Sequence, residues 1–292
     1  MEYLSFNKYL KEKFGQKVYK ISLNAGFTCP NRDGKIDTRG CIFCSKGGSG
    51  DFAEESSKSI TEQIESGKKR VEKKIKNGKY IAYFQAFTNT YAPTEVLREK
   101  YYEALNHPDI VALSIATRPD CLGEDVIKLL DEINKIKPVF VELGLQTINE
   151  ESARYIRRGY DLSVYDEAVK KLKKTGVNIV VHIILGLPNE TKEDMLKSVD
   201  YVCKSGANGI KLQLLHIIKG TDLAKDYEKG LFKTLEFDEY VKLIKECVKI
   251  IPDDIVIHRL TGDGAKKDLI APLWSADKKR VLNAINKELN LS

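Results

Sequence analysis

The sequence predicts an α/β protein built as a partial (β/α)6 barrel of parallel strands with a short C-terminal extension, and three observations predict it. Six β-rich segments alternate with amphipathic helical patterns, and after the second they return about every thirty residues, the length of one strand plus its crossover helix. Within those strands the polar residues keep to one parity. The first strand then runs into a Gly-rich stretch, GFTCPNRDGKIDTRGCIFCSKGG, that carries Cys29, Cys41 and Cys44.

The strands are KVYKISLNA from Lys17, YIAYFQAF from Tyr80, IVALSIAT from Ile110, VFVELGLQT from Val139, VNIVVHIILG from Val177 and GIKLQLLHI from Gly209. Between them lie PTEVLREKYYEALN from Pro93, GEDVIKLLDEINKI from Gly123, SVYDEAVKKLKKTG from Ser163 and TKEDMLKSVDYVCKSG from Thr191. The last has Thr191 as N-cap, Asp194 at the third helical position and Gly206 as its stop. Parallel strands covered on both faces are nearly all apolar, yet here one parity holds Gln85 and Asn89, Ser114 and Arg118, Glu142 and Gln146, Lys211 and Gln213, and His182. Polar groups in such number need partners or water. A curved sheet whose inner face lines a cavity supplies both, so an open TIM-like barrel follows, with its working end at the C-terminal strand edge. Residues 1–252 form this barrel, with the cysteine loop at 25–50. Residues 253–292 form an extension on the same domain: a short strand IVIHRL, a TGDG turn and a helix from Asp277.

Three thiols without a local fourth ligand hold a metal centre with one position open. An iron-sulfur cluster with one non-cysteine iron ranks first. A structural zinc site ranks second, because it wants four ligands and His107, the nearest histidine, is far downstream. Disulfides rank last, since six cysteines in 292 residues without a secretory leader suit a reducing, cytoplasmic setting. Cys121, Cys203 and Cys247 lie singly in core or helix patterns.

The net charge of +6 excludes little, but its distribution is uneven. Lys68, Lys69, Arg70, Lys73, Lys74, Lys76 and Lys79 crowd one segment, and Lys266, Lys267, Lys278, Lys279 and Arg280 crowd the C-terminal one. Such runs are usually solvated helix faces, and nucleic-acid binding read from charge alone is the minority reading. No apolar run is long enough to span a bilayer.

With Phe43 before its last cysteine and six α/β units behind it, the chain resembles the radical SAM superfamily. Its C-x11-C-x2-C spacing resembles the coproporphyrinogen-dehydrogenase-like and Elongator-catalytic-subunit-like branch, in particular YtqA/YhcC-type proteins. QAFTNTYAP, SIATRPDCL, ELGLQT, HIILGLPNET, KLQLLHIIKGT, HRLTGDG and APLWS match that group. The resemblance implies a [4Fe-4S] cluster on Cys29, Cys41 and Cys44 whose fourth iron takes S-adenosylmethionine. It implies reductive cleavage of that cofactor to a 5′-deoxyadenosyl radical, with a single-electron donor such as flavodoxin or ferredoxin. It further implies a tRNA substrate, with a wobble uridine processed from its carboxymethylaminomethyl towards its aminomethyl form. A small-molecule substrate is the alternative within the family, and a zinc-stabilised RNA-binding protein the alternative outside it.

The resemblance also assigns residues. Gln85-Ala86-Phe87-Thr88-Asn89-Thr90 stands where the family carries a Gly-Gly-Glu motif, so Asn89 and Thr90 become contacts for the methionine amino group. Arg118 becomes a partner of the methionine carboxylate, against a structural ion pair. Glu142 and Gln146 fall at the ribose and substrate level of the fourth strand, and Gly186 in the adenine-binding segment. Lys211, Gln213, His182 and His216 remain as substrate contacts. Tyr91 and Trp274 are aromatic candidates for stacking on a base, against plain packing.

Overall fold

The computed structural model describes residues 2–48, 53–75, 78–262 and 266–291. Lys76 of the first basic run, Ser49 and Gly50 of the cysteine loop, Asp263 and Gly264 of the TGDG turn, and the side chain of Lys74 lie outside the described residues.

The chain opens with helix α1 (Phe6–Phe14), held by the Ser5 side chain as N-cap and ended at Gly15, whose φ of 68° is left-handed. Strand β1 (Val18–Leu23), helix α2 (Ile60–Val71), β2 (Lys79–Phe84), α3 (Thr94–Leu105), β3 (Ile110–Thr117), α4 (Glu124–Asn134) and β4 (Val139–Gln146) follow. Two helices, α5 (Glu150–Tyr155) and α6 (Leu162–Lys173), precede β5 (Asn178–Leu185), α7 (Lys192–Ser205) and β6 (Gly209–Leu214). Then come β7 (Ile217–Ile218), α8 (Asp222–Glu228), α9 (Phe237–Ile250), β8 (Val256–Arg259), β9 (Leu269–Ala271) and α10 (Lys278–Glu288). On α7 the expected capping pair is present, Thr191 and Asp194 each satisfying the other's backbone N–H, and Gly206 closes the helix at φ 97°.

Seven strands form one parallel sheet in the order β1-β2-β3-β4-β5-β6-β8, so the partial barrel expected from the strand recurrence is present. Its seventh member is the short strand expected in the C-terminal extension. β7 and β9 pair separately and antiparallel.

Parity divides the strands as the sequence pattern requires. Outward residues such as Leu113, Ile115, Val141, Leu143, Val181 and Leu212 join the helices in one apolar core, where Tyr101, Leu129, Tyr165, Val199 and Ile244 meet them. Inward residues form layers of different character. At the N-terminal end Val18, Ile81, Ala112, Phe140 and Val180 pack on Leu10 and Phe6 of α1, which plugs the barrel. One step up lie Lys20, Tyr83, Ser114, Glu142, His182 and Lys211; the register pairs Tyr83 with Ser114 and His182 with Lys211, and side-chain contacts to Glu142 gather the rest. Above them the C-terminal edge faces the cysteine loop. The open side between β1 and β8 is bridged by the N-terminal segment: the Ile257 N–H donates to the Leu4 carbonyl at 2.8 Å, and the Phe6 ring stacks 3.9 Å from that of His258. Among the described residues no helix is long and apolar enough to cross a membrane.

Candidate active site

The cysteine loop is short of regular structure, so its shape comes from tethers. Arg32 donates its backbone N–H to the Cys29 carbonyl (2.8 Å), Gly40 to Asn31 (2.7 Å) and Cys44 to Cys41 (3.0 Å). Ile42, between the last two cysteines, is buried in a small second core with Ile156, Ile184, Leu187, Leu215 and Leu223. Its backbone is held on both sides, donating to Ile156 and accepting from Leu223. Asn31 Nδ2 reaches the Cys41 Sγ at 3.4 Å and the Arg157 carbonyl at 2.7 Å. The loop is therefore fastened to the β4–α6 connection and to the start of α8.

Cys29, Cys41 and Cys44 all border one hollow of about 210 Å³ at the C-terminal edge of the sheet, shared with Gln85, Thr88, Arg118, Gln146, Arg158 and Tyr160. A hydrogen bond with Cys44 draws the Cys41 thiol down to about 6, and the same bond pushes Cys44 up. Gln146 Oε1 is buried here without a partner, as is Oδ1 of Asn31, and a buried acceptor left unmatched is costly. Apart from two asparagines, the non-glycine residues with left-handed φ among those described are Phe87 (61°), Gln146 (71°) and Arg157 (58°). Phe87 and Gln146 line this hollow, and Arg157 offers its carbonyl to the loop. Backbone strain of this sort persists where surrounding contacts impose it, and it gathers at functional sites.

These residues fit the expected cofactors. Three thiols around one hollow match a cluster in which each thiolate takes a separate iron, while a closed zinc site needs four ligands on one ion. Among the described residues no three His, Cys, Asp or Glu side chains form such a single-ion group. The unmatched Gln146 oxygen gives a bound cofactor an acceptor.

Several expected contacts sit elsewhere. Asn89 and Thr90 do not line the hollow. Asn89 is fully buried and donates Nδ2 to the Ala116 carbonyl at 3.0 Å, and Thr90 Oγ1 lies 2.6 Å from both Thr117 Oγ1 and the Cys121 carbonyl. Gln85, Phe87 and Thr88 of the same segment face the thiols instead. Gly186 also lies outside the lining: its N–H donates to Met195 Sδ at 3.0 Å, and a Cβ there would come 3.0 Å from Leu235. Arg118 does line the hollow while making a two-pronged pair with Asp120 (2.9 and 2.8 Å). Trp274 is packed, its Nε1 donating to the Leu235 carbonyl and its ring lying against Phe237 and Tyr240. Tyr91 borders a separate hollow with Lys35 and Cys121.

Glu142 proves to be the hub of the barrel interior. Its side chain is 0 % exposed, and Oε1 accepts from Lys20 and from Ser114 Oγ (2.6 Å) while Oε2 accepts from Lys211 and pairs with His182 Nε2 (2.8 Å). His182 Nδ1 in turn meets Gln213 Nε2 at 3.0 Å. Burial alone would raise the Glu142 carboxyl, but the two ammonium groups and His182 hold it well below the usual range. Burial and the Lys211 charge bring His182 down to about 4, so its ring is neutral at pH 7. With its oxygens taken, Glu142 anchors neighbours rather than offering itself to a ribose.

Lys20, Tyr83, Arg158 and Arg259 were not singled out in the sequence. Lys20 stands on the inward parity of β1, a signal that was there to find. Arg259 carried none, since only pairing with β6 brings it in, opposite Lys211.

Residues 34–202 match the radical SAM superfamily and residues 207–290 its C-terminal domain. The Bacillus subtilis (strain 168) protein YtqA is 49% identical over 287 residues, covering 98% of this chain and 89% of that protein. The tRNA uridine(34) acetyltransferase of Methanocaldococcus jannaschii is 29% identical over 168 residues, 56% of this chain and 30% of that one. Among solved structures, the Elp3 of Methanocaldococcus infernus lacking its N-terminus superposes with a TM-score of 0.67 at 18% identity, over 90% of this chain and 63% of that chain.

Proposed function

Because this chain belongs to the radical SAM superfamily, whose enzymes use a [4Fe-4S] cluster and S-adenosylmethionine, we propose that it acts on a modified wobble uridine of tRNA, processing a carboxymethylaminomethyl group towards aminomethyl. The observation that carries this reading is a hollow of about 440 Å³ that runs from Cys44 at the mouth to Lys20 and Lys211 at the floor, a volume suited to one extruded nucleoside. The similarity to a tRNA uridine(34) acetyltransferase supports the choice of nucleic acid.

In this reading Cys29, Cys41 and Cys44 hold the cluster, and Asn31 steadies Cys41 through its amide N–H. Gln146 accepts a hydrogen bond from the cofactor, and Arg118, oriented by Asp120, faces its carboxylate. Once loaded, cluster and cofactor supply the 5′-deoxyadenosyl radical when a donor such as flavodoxin or ferredoxin delivers one electron. Lys211, Gln213, His182 and His216 receive the substrate. The plug of α1 and the apolar layer beneath Glu142 keep water from entering from below.

Phosphate contacts are assigned to Lys279 and Arg280, exposed at the start of α10, with Lys278. The first basic run contributes less, since Lys68 is paired with Glu65 and Asp109, and Arg70 with Glu54. The test is the nucleoside content of tRNA from a deletion strain, with holoenzyme binding measured against salt. Accumulation of the carboxymethylaminomethyl form is expected, with affinity that falls steeply as salt rises and a shallower slope after charge reversal at 278–280. Unchanged wobble modification together with salt-insensitive binding would overturn the reading in favour of a small-molecule substrate.

A further inference from the structure

We propose that Asn31 is a positioning residue that acts through Cys41: its side-chain amide donates a hydrogen bond to the Cys41 sulfur and thereby raises the reduction potential of the cluster which that sulfur holds. This deepens the functional reading above and rests on it for Cys41 as an iron ligand, though not for the placement of the amide.

The amide is held so that its nitrogen, not its oxygen, meets the sulfur. Asn31 is 1% exposed, and its Nδ2 lies 2.7 Å from the Arg157 carbonyl oxygen and 3.4 Å from the Cys41 Sγ. An amide nitrogen carries two hydrogens, so one goes to the carbonyl and the other to the sulfur. A flipped amide would set its oxygen against the Arg157 oxygen, acceptor on acceptor, and would give up the shorter bond. The network therefore fixes the orientation.

Three contacts keep the amide from swinging away. The Asn31 carbonyl accepts from the Gly40 N–H at 2.7 Å, which closes the loop between the first two thiols and brings Cys41 beside Asn31. Arg157 takes a φ of 58° and its guanidinium is anchored on Asp222 at 2.7 Å, so its carbonyl is aimed by strained backbone fastened to the start of α8. Gly159, at φ 80°, walls the remaining side, where a Cβ would stand 2.9 Å from Asn31 Oδ1. Glycine is required there both by the φ and by the close approach.

Ligation sharpens the contact. As a thiol, Cys41 donates to the Arg157 carbonyl at 3.7 Å. Bound to iron it has lost that proton, and a thiolate then faces a carbonyl oxygen. Asn31 Nδ2 donates to both and so stands between two negative groups. A hydrogen bond to an ionised acceptor is roughly twice as strong as one between neutral groups. An electron added to a cluster spreads negative charge onto its thiolates, so the donor favours the reduced form over the oxidised one, hydrogen bonds to sulfur being one of the levers that set such potentials. An electron from a flavodoxin or ferredoxin is accepted more readily as a result, and the reduced cluster is a correspondingly milder reductant of the sulfonium.

The test is a redox titration of the cluster-loaded holoenzyme, followed by the EPR signal of the reduced cluster. Asn31→Leu keeps the volume without the donor and should make one-electron reduction up to about tenfold less favourable, a midpoint lower by up to about 59 mV. Asn31→Asp, which sets an acceptor against the sulfur, should lower it further. Gly159→Ala leaves Asn31 in the chain but crowds its oxygen, and should shift the midpoint the same way by less. A merely structural role would change the yield of cluster without moving the potential of the clusters that form. Should the variants fail to fold, wild-type protein carrying nitrogen-15 asparagine reads the contact directly, since pulsed EPR of the reduced cluster should show coupling to the labelled nitrogen. An unchanged or raised midpoint in Asn31→Leu and Asn31→Asp, or no nitrogen-15 coupling in the wild type, would overturn the proposal. Retention of four irons in Cys41→Ala would remove the ligand reading and the proposal with it, whereas loss of the cluster in Cys41→Ala beside an unmoved midpoint in Asn31→Leu would remove the proposal alone.

Discussion

The rim and the floor of the same barrel solve opposite problems. At the rim, where the thiols gather, buried acceptors on Gln146 and Asn31 are left unmatched and the backbone is strained at Phe87, Gln146 and Arg157. On the floor the Glu142 oxygens are saturated by donors from four different strands. The rim thus keeps polar capacity unmatched, and the floor uses a fixed counter-charge to keep two lysines in place.

The sharpest break in that contrast is at the thiols. Replacing Cys29, Cys41 or Cys44 with alanine should abolish the cluster while the barrel stays folded, since the loop is tethered through Ile42, Asn31 and backbone bonds rather than through sulfur alone. Iron content and circular dichroism check both halves, and retention of four irons in any one variant would refute the ligand set.

Removing the hub should act the other way, on stability before chemistry. Glu142→Gln leaves the buried Lys211 and the half-buried Lys20 without their shared counter-charge, and breaking a buried pair from one side costs about 3–5 kcal/mol. Denaturant unfolding of the protein should show that loss, with iron binding retained after refolding. A loss below about 1 kcal/mol would mean that the floor relaxes or admits water, and the contrast with the rim would blur.

The smallest effect is expected at Gln146. Gln146→Ala removes the hydrogen bond proposed to the cofactor, worth about 1 kcal/mol, so S-adenosylmethionine should bind roughly fivefold more weakly with stability unchanged. A drop in melting temperature without change in affinity would assign Gln146 to the scaffold instead.

Much of this was legible from local pattern. The inward parity of Ser114, Glu142, His182, Lys211 and Gln213 could be read because side chains alternate strictly along a strand. The cysteine loop could be read because its three cysteines lie within sixteen residues of one another. Asn89, Thr90 and Gly186 were harder. Each lies just past a strand, where the chain turns, and there alternation no longer tells which way a side chain points. The structure turns them into the scaffold and brings Gln85, Phe87 and Thr88 to the thiols.

By itself, then, the sequence determined the order of strands and helices, the face each strand turns inward and the position of the cysteine loop, all consequences of periodicity and spacing over a few residues. The meeting of Lys20, Glu142, Lys211 and Arg259, and the plug formed by Phe6 and Leu10, were decided only by the closed tertiary structure. Those contacts join residues far apart in the chain, Lys20 to Glu142 across 122 positions and Lys211 to Glu142 across 69, and their distances depend on sheet curvature and strand register, quantities summed over the whole barrel that no short stretch of chain encodes.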